Sequence, residues 1–449
     1  GVGGIGFNLT DVSFAAVMVS TTGPTPVNYM AMRAAVGSAS LVGISGLTAT
    51  VSSLSVVVNK TSSTTAPNTV LDFANTASNS GDSAAATRTI ATGPSTSVEV
   101  NVDGDEGALL QIATDLTLDV FGFVTLDGSF SFKKATGNFV LTNASTRTST
   151  ALNNVNYLEV GGHVNTAFAG VGGIGFNLTD VSFAAVMVST TGPTPVNYMA
   201  LTASAGSAGL VGIEGLTAEI HQLSVVVNKT SSTTAPNTVL DFKNTASNTT
   251  DNAAASRTVA TGPSTSVVID VDGDEGVLLS VATNLTLDIF GFVTLDGSFS
   301  FKKATGSFVL TNAATHTSTP LNNVNYLEVG GHVNSAFAGV GGIGFNLTDV
   351  SFAAVMVSST GPTPVNYMAL KAGAGTAALV GIEGLTAEIR DLSIVVNKTS
   401  STTATNTVLD FVNSVNNATD SAAASLEIAT GPATSVTMDV DGDEGVLLK

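Results

Sequence analysis

The chain has 449 residues, a formal net charge of −19 and no cysteine, and only 11% of its residues are charged. A surface this acidic repels nucleic acid and anionic lipid, and the missing cysteine excludes disulfides and thiol chemistry. Since no apolar run approaches about 18 residues, we expect no membrane-spanning helix.

One string of nineteen residues, VGGIGFNLTDVSFAAVMVS, begins at Val2, at Val171 and at Val340, so the chain repeats with a period of 169 residues. The period predicts a first copy at 1–170 whose register starts mid-repeat, a second copy at 171–339 and a partial third copy at 340–449. Because both ends fall inside a copy, we expect a segment of a longer protein, with any targeting signal outside it.

Apolar and polar residues alternate with a period of two along most of the chain, which predicts strands rather than helices. Between the strands lie turn strings such as TTGPTP and ATGPSTS. Residues 244–266 form the longest irregular stretch, and 299–310 is predicted to be a hairpin with Gly306 in its turn. The residues expected to pack the core are Phe176, Phe183, Leu287, Ile289, Phe290, Phe292, Phe299 and Phe301.

These patterns predict an all-β fold, and two architectures fit it. One is an elongated β-solenoid or tubular stack, in which each 169-residue copy covers the edge of its neighbour. The alternative is a row of tandem β-sandwich domains. The stack is favoured because no linker separates the copies, apolar content does not dip at their boundaries, and near-identical neighbours stack well.

The densest charge lies in the turn DVDGDEG at 270–276, which recurs as NVDGDEG at 101–107 and as DVDGDEG at 439–445. Carboxylates this close together suit Ca²⁺, although the spacing departs from an EF-hand. The competing interpretation is a solvated acidic turn that protects a sheet edge. The candidate ligands are Asp103, Asp105, Glu106, Asp270, Asp272, Asp274, Glu275, Asp439, Asp441, Asp443 and Glu444.

Other candidate sites are weaker. The glycines of 172–178 are expected to permit a bulge or a close approach of strands. His163 and His332 are expected to be outward polar residues rather than zinc ligands, because no cysteine accompanies them. Asn228 and its copies Asn59 and Asn397 lie in sequons at a predicted turn, where a glycan would fit. No catalytic motif is present, so we expect no enzyme.

Three stretches, LTLDIFGFVTLDGSFSFKKATG, GGIGFNLTDVSFAAVMV and ATGPSTSVVIDVDGDEG, resemble segments of giant bacterial extracellular tandem-repeat proteins of the adhesin-like kind. Through repetition the resemblance covers nearly the whole chain. It implies an extracellular or cell-surface location and a structural or adhesive role, often with Ca²⁺. It supplies no catalytic residues.

The expected function is therefore that of a structural extracellular protein that forms a stiff β-rich rod, filament or surface-layer element. The alternative is a calcium-binding adhesin stalk that attaches cells to a surface or matrix partner. In either case the expected partners include neighbouring repeats or other chains of the same kind, and not nucleic acid.

Overall fold

A computed structural model of the chain describes residues 6–75, 81–245, 248, 251–361, 363–414, 417 and 420–449. Within these residues the fold consists of strands and turns, with no α-helix and only two short 3-10 turns, at Gly273–Glu275 and Gly442–Glu444. The predicted all-β class is confirmed.

The strands are numbered β1 to β24 along the chain. The first copy holds β1 (Gly6–Ser20), β2 (Asn28–Val42), β3 (Leu47–Thr61), β4 (Arg88–Ala91), β5 (Ser97–Val100), β6 (Leu109–Val120), β7 (Val124–Asn143) and β8 (Thr148–Val171). The second holds β9 (Ile174–Ser189), β10 (Asn197–Val211), β11 (Leu216–Thr230), β12 (Thr238–Leu240), β13 (Arg257–Ala260), β14 (Ser266–Ile269), β15 (Leu278–Ile289), β16 (Val293–Asn312) and β17 (Thr317–Val340). The third holds β18 (Ile343–Ser358), β19 (Asn366–Val380), β20 (Ala387–Thr399), β21 (Thr407–Leu409), β22 (Leu426–Ala429), β23 (Ser435–Met438) and β24 (Leu447–Leu448).

One antiparallel sheet runs through all three copies. Its strands follow the chain as a meander, in the order β1-β2-β3-β6-β7-β8-β9-β10-β11-β15-β16-β17-β18-β19-β20-β24. The short strands β12 and β21 attach to the far ends of β7 and β16. Neighbouring strands are therefore mostly neighbours in sequence, and the sheet grows as the chain does.

The boundary between the first and second copies lies in the tight turn that joins β8 to β9. Gly172 and Gly173 occupy this turn with φ of +61° and +82°, a backbone region that residues with a side chain rarely adopt. The two strands pair from Val171 opposite Ile174 through Asn156 opposite Ser189. These glycines form a turn and not a bulge, and backbone pairing continues from one copy into the next. The other expectation, a close approach of strands, is confirmed at Gly175, where an added Cβ would lie 2.3 Å from the Ala169 carbonyl oxygen.

Between the third and fourth sheet strands of each copy, the chain leaves the sheet and folds over one of its faces. We call these excursions cap 1 (62–108), cap 2 (231–277) and cap 3 (400–446). Each contains a short hairpin, which is β4–β5, β13–β14 or β22–β23, followed by an acidic turn. Cap 2 contacts β7 and β8 of the first copy and also β9 and β10 of the second copy.

The hydrophobic core lies between the caps and the sheet. Val259 and Ile269 of cap 2 are fully buried against Val186 of β9 and Ala200 of β10. Phe139 of β7 meets Phe242 of cap 2 edge to face, with ring centroids 6.4 Å apart. Cap 3 builds an equivalent cluster on β16 to β19. Each core after the first is thus made by residues of two copies.

The residues expected to form the core lie mostly elsewhere. Phe176 is 62% exposed and Phe290 is 55% exposed, and Ile289 and Phe292 are also exposed. Leu287, Phe183, Phe299 and Phe301 are only half-buried. Within residues 297–301 of β16 the buried side chains are those of Ser298 and Ser300, so Phe299 and Phe301 point to the opposite face. The predicted core face is therefore wrong in this part of the strand.

The predicted hairpin at 299–310 is also wrong. Strand β16 continues straight through it to Asn312, and Gly306 lies at a shift of register opposite β17. The ring of Tyr326 lies over Gly306, where an added Cβ would be 2.9 Å from it. The irregular stretch predicted at 244–266 is partly ordered, because β13 pairs with the start of β14; residues 246, 247, 249 and 250 lie outside the described residues.

The cap approaches the sheet most closely at glycines. A Cβ placed on Gly161 of β8 would overlap the carbonyl oxygen of Ala260 in cap 2, and Gly330 has the same relation to Ala429 in cap 3. Backbone cannot move aside as a flexible side chain can, so these positions require glycine.

We predict that Gly161→Ala destabilises the contact between cap 2 and the first copy by about 1–3 kcal/mol, because the methyl group forces two backbones apart. Hydrogen exchange of the β13–β14 amides measures the effect. Gly373→Ala is the matched control, since its Cβ would meet only the Leu392 carbonyl oxygen at 3.4 Å. Equal exchange in the two variants would contradict the close approach.

We call the contact of cap 2 with the first copy the first junction, and that of cap 3 with the second copy the second junction. Within the described residues, the first junction contains an ion pair that the second lacks. At the first, Arg257 Nε of cap 2 lies 2.5 Å from Glu159 Oε1 of β8, and its guanidinium also stacks over Tyr157 at 4.8 Å. At the second, Leu426 occupies the position of Arg257. The equivalent carboxyl, Glu328, is 5% exposed, and its Oε1 has no hydrogen-bond partner among the described residues. Burial raises the pKa of Glu328 to about 7.

We predict that the second junction loses stability as the pH rises. A carboxyl whose pKa is raised from 4.5 to about 7 favours the folded state fully below pH 4.5, and this contribution disappears as the pH passes 7. The loss is about 3 kcal/mol. Hydrogen exchange of β17 measured at pH 4.5 and pH 7.5 should reveal it in the wild type. The loss should be absent in Glu328→Gln and reduced in Leu426→Arg; the same pH dependence in all three proteins would contradict the assignment.

Candidate functional site

The acidic turns are held in shape by their own aspartates. In cap 2, Asp272 caps the 3-10 turn and its carboxylate accepts the backbone N–H of Asp274 at 2.9 Å. Gly273 packs so closely on Asp241 that a Cβ would lie 2.7 Å from the Asp241 Cβ, and Gly276 closes the turn with φ of +64°. The Asp-Gly-Asp order therefore places two carboxylates side by side on a rigid turn.

A third aspartate joins each turn from a distant part of the cap. Carboxylate oxygens of Asp251, Asp272 and Asp274 all lie within 4.8 Å of one another. In the first copy the equivalent group is Asp82, Asp103 and Asp105, and in the third copy the cluster consists of Asp410, Asp420 and Asp441. Asp82, Asp251, Asp410 and Asp420 are not among the predicted ligands, although the recurrence of aspartate at 82, 251 and 420 with the 169-residue period could have indicated three of them.

One carboxylate oxygen in the second cluster, and one beside the third cluster, has no hydrogen-bond partner among the described residues. Asp274 Oδ1 accepts from Asn248 Nδ2 at 2.9 Å, while its Oδ2 is buried and unpartnered. The Asp443 side chain is only 7% exposed, and its Oδ2 is likewise buried and unpartnered. An anionic oxygen buried beside other carboxylates is costly unless a cation neutralises it.

The raised pKa values of aspartates in and beside the clusters also indicate a place where a cation would be favourable. Burial raises the pKa of Asp241 to about 6, and the neighbouring charge of Asp251 adds to the rise. Burial also raises the pKa of Asp274, Asp410 and Asp441. Hydrogen bonds offset part of this for Asp241, which accepts from the Gly273 N–H at 2.9 Å. A bound cation would favour the charged form of all these carboxyls.

Several predicted ligands are placed away from the clusters. The glutamates of the turns make ion pairs with lysines: Glu106 with Lys133, Glu275 with Lys302, and Glu444 with Lys449. Asp439 pairs with Lys371 at 2.8 Å, and Asp270 is exposed at the equivalent position. The structure thus gathers Asp103, Asp105, Asp272, Asp274 and Asp441 into clusters, and Asp443 lies beside the third one.

The tip of the β7–β8 hairpin of the preceding copy covers the second cluster. Ser149 Oγ donates to Asp251 Oδ1 at 3.4 Å, and Asn248 Nδ2 donates to the carbonyl oxygen of Arg147 at 3.3 Å. Thr142 Oγ1 donates to the buried Asp241. In the third cluster His316 replaces Arg147, and its Nδ1 lies 3.0 Å from Asp443 Oδ1. The candidate cation site therefore lies at the contact between two copies.

The expected glycan positions are buried. Asn59, Asn228 and Asn397 have no exposed surface, and the Nδ2 atom that would carry a sugar donates to the carbonyl oxygens of Leu71, Leu240 and Leu409. The expectation of a glycan there is wrong, because these amides hold the start of each cap onto the sheet.

The face of the sheet opposite the caps carries two apolar hollows, of about 680 Å³ and about 860 Å³. Each is crossed by a row of five cross-strand neighbours that starts and ends with lysine. The two rows are Lys134, Leu158, Met187, Met199 and Lys229, and Lys303, Leu327, Met356, Met368 and Lys398.

A histidine lies beside a serine and an aspartate in two places. His163 Nδ1 lies 2.8 Å from Ser182 Oγ and 3.9 Å from Asp180 Oδ1, and His332 repeats the arrangement. Both contacts use the same ring nitrogen, whereas a proton relay needs the serine and the aspartate on different nitrogens. The arrangement therefore lacks the geometry of a catalytic triad.

Comparison of the chain with protein-family models found no match. A comparison with curated proteins also found no match. In the part of the chain that the structure describes, no helix has the length and apolar character needed to span a bilayer.

Proposed function

We propose that the chain is a structural extracellular repeat protein, in which successive copies extend one stiff β-rich body as a rod, filament or surface-layer element. The observation that carries the proposal is the junction itself. Strands β8 and β9 pair along their length across the copy boundary, and cap 2 covers strands of both copies.

The junctions favour a stacked architecture over tandem sandwiches. A sandwich domain closes its own core and leaves a linker to the next domain. Here the core under cap 2 uses Phe139 and Tyr157 from the first copy together with Val186 and Ile269 from the second. A second copy cut off at residue 170 would lose the side chains of the first copy, such as Phe139 and Tyr157, that complete this core.

Each complete copy adds six strands to the main sheet, as β9, β10, β11, β15, β16 and β17 do in the second copy. At the usual strand spacing this corresponds to about 29 Å of length per copy. An acidic surface and the absence of cysteine suit a body that stays soluble outside the cell. The resemblance to adhesin-like repeat proteins supports the same location.

We predict that adding one 169-residue copy increases the longest dimension of the particle by roughly 30 Å while its cross-section stays constant. Small-angle X-ray scattering of chains with two, three and four added copies measures both dimensions. A cross-section that changes with copy number, or a flexible string of globules, would contradict the stacked rod.

A second candidate function is that of a calcium-binding adhesin stalk. The buried, unpartnered oxygens of Asp274 and Asp443 favour it, because oxygen ligands at this density suit Ca²⁺. The cation would bind between a cap and the hairpin tip of the preceding copy, so it would stiffen the stalk at its junctions. An attached surface or matrix would be the partner.

We predict that Ca²⁺ raises the melting temperature of the chain relative to EGTA, since the ion binds only the folded cluster. Replacing Asp251 and Asp272 by asparagine in the second cluster should reduce the shift, because it removes two of the three charges. Differential scanning calorimetry measures the shift with and without about 5 mM Ca²⁺, a concentration above the dissociation constant of a weak extracellular calcium site.

The matched control is Asp270→Asn, which removes an aspartate of the same turn that lies outside the cluster. It should leave the calcium shift unchanged. The calcium proposal would fail if EGTA and Ca²⁺ gave the same melting temperature, or if the control variant lost as much of the shift as the cluster variants.

A further inference from the structure

The same short segment begins each cap, and its surroundings differ between copies. In the second copy Thr238–Leu240 forms β12, and in the third copy Thr407–Leu409 forms β21. Each of these strands pairs with the far end of a long strand of the preceding copy, β7 or β16. In the first copy the identical residues Thr69, Val70 and Leu71 are not in a strand.

The contact made by the second copy is specific. Val239 lies opposite Thr142, and the Asp241 N–H donates to the Val140 carbonyl oxygen at 3.0 Å. Asn143 Nδ2 donates to Thr238 Oγ1 at 2.9 Å. Val239 and Leu240 are fully buried in consequence.

The third copy repeats the contact with the same atoms. The Asp410 N–H donates to the Val309 carbonyl oxygen at 3.0 Å, and Thr311 Oγ1 donates to Asp410 Oδ2 at 2.5 Å. Val408 and Leu409 are again fully buried. In both copies this segment therefore pairs with the last three residues of the long strand of the preceding copy, in the same register.

Among the described residues, none pairs with the equivalent surface of the first copy. Val70 and Leu71 are only half-buried, and within the described residues the Asp72 N–H donates to no backbone carbonyl. Within the described residues β1 pairs only with β2, whereas its copies β9 and β18 also pair with β8 and β17. Phe14 on β1 is consequently 68% exposed, while its copy Phe183 is half-buried.

We propose that Thr69–Asp72 together with the outer edge of β1, here called the open flank, is a docking surface for the β7–β8 hairpin of another copy of this repeat unit. The proposal rests on the stacked function above and names its mode of extension. The docked hairpin would place its β7 end against Val70 and its β8 edge along β1. The β7–β8 and β16–β17 hairpins of this chain already contact caps 2 and 3, so the occupant is the hairpin of a further copy.

The test uses a synthetic peptide of residues 124–171, added to the full chain. Native mass spectrometry should detect one peptide per chain, since the other two equivalent surfaces are covered. Hydrogen exchange should slow roughly tenfold or more at the Asp72 amide and along β1. Exchange in β12 and β21 should not change.

Two matched controls define specificity. The Leu141→Asp peptide should not bind, because Leu141 is buried in the second-copy contact and a charge there would lose its water. A chain extended by residues 124–170 ahead of Val2 covers its own open flank, so it should not bind the wild-type peptide.

Absence of binding to the unextended chain would overturn the proposal, as would equal binding of the Leu141→Asp peptide or equal binding by the extended chain. The scattering experiment on added copies tests the rod-like function independently of the peptide. If the particle lengthens with copy number but the peptide does not bind, the docking proposal fails and the proposed function stands.

Discussion

The rest of this structure depends on one constraint: each cap after the first can bury its apolar side chains only against strands of two copies. Cap 2 lies over β7 and β8 as well as β9 and β10, and the short strand β12 pairs with the end of β7. Because the turn at Gly172 and Gly173 continues the sheet without a break, the copy boundary in sequence is not a boundary in packing. A further near-identical copy can then be added because its cap packs against the preceding copy through the same kind of core.

The same constraint explains where the acidic clusters lie. The hairpin tip of one copy brings Thr142 and Ser149 onto the aspartates of the next cap, which buries charge at the junction. That burial raises the pKa of Asp241 and Asp274. Two substitutions between copies, Arg257 by Leu426 and Arg147 by His316, then make the junctions electrostatically different even though their backbones match.

Much of the fold could be predicted from the sequence, because a period of two and a lack of helix-forming residues depend only on local order. The core could not, because which face of a strand is buried depends on where the cap lands. On β16 the cap covers Ser298 and Ser300, and Phe299 and Phe301 face the other side. Gly306 was assigned to a turn, although it accommodates the ring of Tyr326 within a straight strand.

The candidate site could be predicted in part. Asp272 and Asp274 are separated by only one residue in the turn, so the sequence predicts them, whereas Asp251 comes from a segment that only the folded cap brings near them. Proximity along the chain also predicts the neighbouring glutamates as ligands, but lysines on β7 and β16 pair with Glu106 and Glu275. Asn228 has a sequon but serves the fold as a buried donor.

Native-state hydrogen exchange across the first copy boundary tests the central claim most directly. If the copies form one continuous body, amides of β8 and β9, such as those of Val160 and Val186, should be among the slowest in the chain and should exchange through the same opening. Fast exchange on both sides of residue 170, with slow amides confined to the interior of each copy, would contradict it.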